Sequence, residues 1–561
     1  MWQHNYEPVG GSLALSALVA AIPIVVLFLM LGVWRKPSWM SALAALASAL
    51  AVALTVYGMP VKLAVMSTLY GAAYGLFPIA WVVFASIMLY RLVVDAGKFE
   101  IIKDSVASLT DDRRLQALFI AFSFGAFIEG AAGFGAPVAV AGAMLAGLGF
   151  NPFYAAGICL LANTAPVAFG SIGIPIVTLA GTTGLPVLSL SAMVGRLCAM
   201  VSVFIPAYLM VVMVGPAKAF EVWPAILACG LSFASMQFFV SNFVGPELTD
   251  ILSSLTCIVV TGMMIKFWRP KNIMRLETDH PEGAVFKRHP GREVFVAWLP
   301  YLLLVIFVLA WGAPTIKSAI DTWTNNLLPA SLPKNAGTLN GLNVPGLHNL
   351  ITRVPPVTGR PSPYAAVFTL NWLSASGTAC LFATLAAALL LGLKPGRVVA
   401  AYTSTFRQLK FAMLTLASML GLAYLMNYSG MTSTLGLSLA STGAAFPFFS
   451  AVVGWLGVFL TGSDTSANAL FGNLQVVTAN ALQMNPILTA SVNSAAGVMG
   501  KMISVLSIAV AVAATGMKSE DESALFRFTI KHSVILMTVM GVLSLLFAYV
   551  VPGWVPVAPP K

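Results

Sequence analysis

The sequence predicts an all-α integral membrane protein of about 12 transmembrane spans plus two re-entrant hairpins, arranged as two inverted-topology repeats with interrupted helices. Three observations lead there. Of the 561 residues, 59% are hydrophobic and only 9% charged, with a mean hydropathy of +0.90; a soluble domain carries roughly 25% charged residues. Apolar segments of about 20 residues, long enough to cross a bilayer as helices, recur from residue 12 to residue 551. Stretches rich in glycine and small polar residues interrupt the apolar pattern at corresponding places in the two halves.

Residues 12–34 form the first span. They lack a basic leading region and run too long for a signal peptide, so the helix is expected to be retained. No Lys or Arg precedes Arg35 and Lys36, which puts the N-terminus outside and the first loop inside. Span 2 (38–58) returns outward. Span 3 (63–94) comes back to a segment carrying Arg91, Lys98, Lys103, Arg113 and Arg114, which is therefore cytoplasmic. Segments 266–292, 394–410 and 518–531 are basic and cytoplasmic by the same rule. The polar stretch 313–374, rich in Asn, Pro and Gly, is an expected external loop, and the C-terminus also falls outside.

Counting back from Lys266, spans 222–240 and 248–265 place Lys218 inside, so the helix at 190–214 begins outside. Between Arg114 and Ser189 lie two apolar blocks, 115–149 and 153–184. One must cross, and the other must enter and leave on one side. The second half repeats the count between Gly430 and Lys518, with blocks 441–481 and 486–514. Each half thus holds one re-entrant hairpin and one interrupted span.

The halves also match in sequence. GAFIEG (125–130) corresponds to GVFLTG (457–462), and NTAPVAFGSI (163–172) to NSAAGVMGKM (493–502), in the same order and at nearly the same spacing. The first copy starts from the cytoplasm and the second from outside. This divides the single transporter domain into a first repeat (12–215), a linking helix pair with its cytoplasmic loop (216–293) and an inverted second repeat (294–552). Inverted repeats with broken helices are the architecture of secondary transporters, whose sites lie where the helix ends meet. Unwound backbone at membrane depth needs protein or a wet cavity around it, and glycine permits it. FIEGAAGFGAP and LTGSDTSANA then read as hairpin tips, NTAPVAFG and NSAAGVMGK as breaks.

Composition also excludes classes. The net charge of +11 is spread over short loops, as the cytoplasmic bias requires, so nucleic acid is not an expected partner. Cys159, Cys198, Cys229, Cys257 and Cys380 lie in apolar segments without metal-ligand spacing and read as core packing. His4, His280, His289, His348 and His532 fall in tails, in loops or close to a helix end. No metal site, cofactor or nucleophile–base pair is expected in the membrane, and the chain does not read as an enzyme.

At the motifs quoted above the chain resembles the bacterial L-lactate permease family. FIEGAAGFGAPVA, NTAPVAFGSIGIP, NFVGPELTDI, YAAVF, GWLGVFLTGSDTSANALF, GKMIS and LFRFTIKHS, with the opening WQHNYEP, carry the resemblance from end to end. It implies uptake of L-lactate, and in relatives of glycolate and similar 2-hydroxymonocarboxylates, by proton symport across the bacterial inner membrane. The implied partners are a small monocarboxylate, a co-transported proton and the lipid bilayer. After GKMIS the family pattern continues with Pro-Gln, whereas this chain has Val505 and Leu506. The alternative is a Na⁺-coupled carrier of another small carboxylate, because broken helices expose carbonyls that coordinate Na⁺.

Glu129 lies on the first hairpin tip. An ionised carboxylate is costly in the membrane, so Glu129 is a candidate proton-coupling group, or else a hydrogen-bonded residue that pins the tip. Asp464, on the mirrored tip, is either a second proton-coupling carboxylate or an N-cap for the returning helix. Gly130 and Gly133, which let the first tip unwind, are candidate substrate-binding residues together with Ser463, Thr465, Ser466 and Asn468, which offer hydrogen bonds to a hydroxy acid. Asn163 and Thr164, with Asn493 and Ser494, sit at the breaks and either contact substrate or satisfy freed backbone groups. Lys501 and Arg196 are the candidate cations for the substrate carboxylate; each has the alternative of neutralising Glu129 or Asp464, or of reaching the interface. Arg91, Asp95, Glu247 and Asp250 read as interfacial or capping groups, and Tyr70, Tyr74, Phe77 and Trp81 as packing.

Overall fold

The computed structural model describes residues 1–107, 109–133, 135–275 and 289–557. Phe134 at the first tip, His280 with the centre of the basic segment 266–292, and the last residues of the C-terminus lie outside the described residues. Among the described residues twelve helices are long and apolar enough to cross a membrane, thirteen if one bent pair counts as a span. The first three, Leu13–Val33, Ser38–Thr55 and Val61–Asp95, fall on the expected spans. The third is interrupted at Phe77, whose φ of −139° is non-helical; Pro78 follows and disfavours helical geometry at the residue before it.

Nine helices build the centre. α1 (Arg113–Ala131) and α2 (Ala136–Gly147) form the first hairpin. α3 (Pro152–Ala162) and α4 (Gly170–Thr183) form the bent span. α5 (Thr249–Phe267) packs beside α1. α6 (Phe446–Thr461) and α7 (Asp464–Ala481) form the second hairpin, and α8 (Pro486–Lys501) and α9 (Val505–Thr515) complete the set.

The two hairpins have their bases at opposite ends of the molecule. The Arg113 guanidinium lies 5.4 Å from the Phe150 ring, so the first hairpin returns to the end where it began. Phe153, just beyond it, packs on Phe528 with ring centres 5.5 Å apart. The helix Glu522–Tyr549 that starts beside this contact is about 42 Å long. At its far end the Tyr549 hydroxyl donates to the Ala444 carbonyl at 2.8 Å, beside the start of α6, and Asn485 beyond α7 donates to Pro556. In between, α2 packs on α9 and α4 on α7, so the returning limb of each hairpin rests on the post-break helix of the other half.

Each end is tied by long-range contacts. Arg114, 1% exposed, pairs with Asp112 at 2.8 Å and Glu221 at 2.7 Å and donates to the carbonyls of Lys218 and Asn272. Segments 91–114 and 266–292 and the turn carrying Lys218, all read as sharing one side, therefore meet. On the other side Trp2–Gln3 pairs in parallel with Ile351–Arg353, which joins the N-terminus to the stretch 313–374.

That stretch is more than the loop expected. It holds the helix Pro314–Leu327 and two antiparallel pairings, Gly341–Asn343 with Val367–Thr369 and Ile351–Arg353 with Ser362–Pro363. Short pairings satisfy backbone groups that proline-rich segments cannot place in helices. An otherwise all-α chain therefore carries a small amount of sheet.

The two predicted breaks differ. The first is real: α3 and α4 are bent by 62°, and Ser171, Ile172 and Gly173 follow with φ of 46°, 60° and 70°. A Cβ on Gly173 would stand 2.7 Å from the Pro246 backbone, so both its left-handed φ and its surroundings require glycine. The second is displaced. Asn493 and Ser494 lie inside the continuous helix α8, and the chain breaks only at residues 502–504, where the Ser504 hydroxyl accepts from the Ser507 N–H to cap α9. Pro166 explains the difference: it removes an N–H and restricts its predecessor, and NSAAGVMGK contains no proline.

Candidate functional site

α1 ends at the centre of the molecule because Gly133 and Gly135, at φ of 60° and 82°, turn the chain there. Glu129 occupies its last turn and is 3% exposed. Lys501 is the last residue of α8, and its Nζ donates to Glu129 Oε1 at 3.0 Å. The cation sits at the helix end where the dipole favours positive charge, whereas Glu129 sits at such an end and needs an opposing charge. A buried pair of this kind holds mainly because losing either partner strands the other. Glu129 Oε2 has no hydrogen-bond partner among the described residues, so the carboxylate keeps an acceptor to spare.

Asp464 opens α7 and is also 3% exposed. The capping role belongs to its neighbour, since the Ser463 hydroxyl accepts from the Ser466 N–H at 3.2 Å. Asp464 Oδ2 instead accepts from Ser494 at 2.6 Å and from Asn468 at 3.3 Å. Asn468 also donates to Ser494 and to the Pro175 carbonyl of α4, and accepts from Asn493, which in turn accepts from Gln475. Asn468, Asn493, Ser494 and Gln475 are fully buried. They form a polar network that orients Asp464 rather than a surface offered to substrate. Gln475 escaped the sequence reading because one amide in an apolar run carries no distinguishing pattern.

Glu129, Lys501, Asp464, Ser463, Thr465 and Ser466 share one cavity of about 330 Å³, at the small end of the roughly 300–1,000 Å³ typical of small-molecule sites. Val167, Ile174, Leu506 and Val510 give it apolar walls. It extends to Trp39 and Phe411, whose rings stack at 5.4 Å beside the basic residues Lys36 and Lys410. A second cavity, of about 200 Å³, is lined by Tyr74, Glu247, Lys317 and Ser376, and Ile174 borders both. The two cavities are thus separated by the broken span.

The other candidates fall as follows. Asn163 and Thr164 face Lys501 across a void of about 10 Å³; their backbone N–H groups are bonded to Cys159 and Leu161, so the break does not present them to a ligand. Gly133 lies beside Ser171, whose hydroxyl donates to Ala132 and closes the first tip onto the break. Arg196 is away from the cavity: its guanidinium donates to Asn242 at 2.9 Å and to the Trp554 carbonyl. Arg91 donates to Gln408 at an exposed position. Tyr70 and Trp81 pack as expected, with the Tyr70 and Tyr424 rings 4.8 Å apart and Trp81 donating to Thr378, while Tyr74 also lines the second cavity.

Two sequence readings are corrected. His532 is well inside the helix Glu522–Tyr549 and bonded to the Tyr208 hydroxyl at 2.6 Å, not close to a helix end. Asp250 is not interfacial. It is 1% exposed, and a Cβ on Gly130 would stand 2.8 Å from its own Cβ, which puts it directly behind the Glu129 tip. Its place in NFVGPELTDI, at the start of a helix, suggested a cap; nothing local reveals that α1 ends against it.

A family profile and three relatives bear on this arrangement. The family profile described as L-lactate permease matches residues 16–551. An L-lactate permease of Bacillus subtilis (strain 168) is 47% identical over 99% of this chain and 100% of its own length. The glycolate permease GlcA of Escherichia coli (strain K12) is 44% identical over 98% of this chain and 99% of its length, and an L-lactate permease of Salmonella typhimurium 43% identical over 99% and 100%.

Proposed function

Since the chain belongs to the L-lactate permease family and is therefore a membrane transport protein and not an enzyme, we propose that it takes up L-lactate, and glycolate, by proton symport across the bacterial inner membrane, with both termini in the periplasm. The observation that carries the reading is the central cavity, where one buried cation, Lys501, is held by one buried carboxylate, Glu129. A monocarboxylate needs one fixed positive partner. When the substrate takes Lys501, Glu129 loses its counter-charge and a proton replaces it. The Ser463, Thr465 and Ser466 hydroxyls serve the substrate's 2-hydroxyl, and Asp464 is the second carboxylate of the site.

Coupling has an energetic reason. Carrying one negative charge inward against 100 mV costs about 2.3 kcal/mol, and one accompanying proton removes that cost. The two cavities on either side of the broken span suit alternating access, in which the paired hairpins and broken spans of the repeats 12–215 and 294–552 move against their partners.

The test is uptake of labelled lactate by proteoliposomes under a pH gradient and, separately, under a Na⁺ gradient. Accumulation driven by the pH gradient without Na⁺ is expected. Accumulation that requires Na⁺ and ignores the pH gradient would replace this reading with Na⁺-coupled carriage of a small carboxylate.

A further inference from the structure

Asp250 is the one buried carboxylate, among the described residues, with no bonding partner at either oxygen: both are fully buried and neither has a hydrogen bond. Its neighbours differ. Glu129 has Lys501, and Asp464 has Ser494 and Asn468. Leaving a carboxylate charged, buried and unbonded costs several kcal/mol, so such a side chain persists only where a proton neutralises it or function demands it.

Its position suggests the function. Asp250 lies behind Gly130, against the turn that carries Glu129. Three residues earlier Glu247 lines the second cavity, where it accepts from the Ser376 hydroxyl at 3.5 Å. Glu129 lines the first cavity. Of the three carboxyls, Glu247 and Glu129 thus line the two cavities, and Asp250 stands three residues from the one and against the turn that carries the other. The groups around Asp250 on the packed helices are few. Glu129 on α1 and Lys501 on α8 act on it electrostatically; Cys198 on the helix Val187–Ser202 is within electrostatic reach of it; α4 contributes no titratable group; and Cys229 meets Cys257 two turns further along α5.

Building on the proton-symport reading, we propose that Asp250 is the residue that stores the transported proton. The proton enters from the second cavity by way of Glu247 and rests on one Asp250 oxygen. When the substrate carboxylate draws Lys501 from Glu129, the proton passes from Asp250 to Glu129, leaving Asp250 as a carboxylate. Glu129 then releases it into the first cavity and takes Lys501 back, and Asp250 reloads from the second cavity.

The test uses the full-length protein in proteoliposomes, with two readouts, lactate exchange at equal pH and lactate-driven proton uptake. Asp250→Asn is expected to keep exchange within about threefold of the unsubstituted protein and to lose proton uptake and accumulation. Asp250→Asn that still moves protons with lactate at the original ratio overturns the assignment, as does a folded variant that loses exchange, because Asp250 would then serve binding. If Asp250→Asn does not fold, Asp250→Glu decides: a displaced pH midpoint of proton uptake is expected, and a superimposable profile overturns the proposal. If the unsubstituted protein moves no protons with lactate, symport fails and the Asp250 assignment with it; failure in the variants alone removes only Asp250.

Discussion

Lys501 Nζ stands 3.0 Å from Glu129 Oε1, joining the end of α8 to the last turn of α1 across 372 positions of sequence. The pair makes a first prediction. Lys501→Ala strands the buried Glu129 carboxylate and should cost about 3–5 kcal/mol of stability. Adding Glu129→Gln removes the second charge and should recover most of it, read as thermal unfolding midpoints in detergent. Neither variant should accumulate lactate. Glu129→Gln alone should transport at least tenfold more slowly, with its pH dependence flattened; uptake with an unaltered pH profile would take Glu129 out of the coupling step.

The network behind Asp464 gives the second. Ser494→Ala removes the 2.6 Å hydrogen bond that holds Asp464 Oδ2, a bond to a carboxylate worth roughly 1.5–3 kcal/mol. Asp464 should then swing within the cavity, and the KM for lactate should rise about tenfold or more while extraction and folding are preserved. An unchanged KM would show that Asp464 needs no such support.

The cavity wall gives the third. Leu506 lines the cavity as part of its apolar wall. Lactate differs from glycolate by one methyl group, and burying a methyl is worth about 0.8 kcal/mol, or about fourfold in affinity. Leu506→Gln should therefore shift the lactate-to-glycolate preference toward glycolate by up to about fourfold in competition assays. A preference that does not move would place the substrate methyl elsewhere.

The fourth concerns pH at the N-terminal strand. His4 donates from Nε2 to the Tyr428 carbonyl at 2.9 Å, and burial lowers its pKa from 6.5 to about 4. A base whose folded pKa is depressed binds more protons unfolded, so its contribution is complete above pH 6.5 and is lost as pH falls through about 4. The loss amounts to roughly 3 kcal/mol. His4→Gln keeps a donor and does not titrate. Its unfolding midpoint should fall less than that of the unsubstituted protein between pH 7 and pH 4; equal falls would mean that His4 does not anchor the N-terminal strand.

The number of membrane-crossing helices was legible because it depends on local composition: twenty apolar residues make a span wherever they occur. Arg114, holding Glu221 and Asn272, brings together the segments that charge counting had put on one face. The turn after α1 and the first break were legible because Gly133, Gly135 and Gly173 permit the left-handed backbone found there and Pro166 lacks an N–H.

What the sequence determined by itself was thus the membrane class, the helix order and the pair of tips carrying Glu129 and Asp464. Only the tertiary structure decided which groups meet. It moved Asn493 and Ser494 from a break to the support of Asp464, sent Arg196 to Asn242, and set Asp250 behind Glu129. The physical reason is that composition and turn chemistry act within a few residues along the chain. A buried charge is stabilised by partners in space, and those are supplied by helices hundreds of residues away.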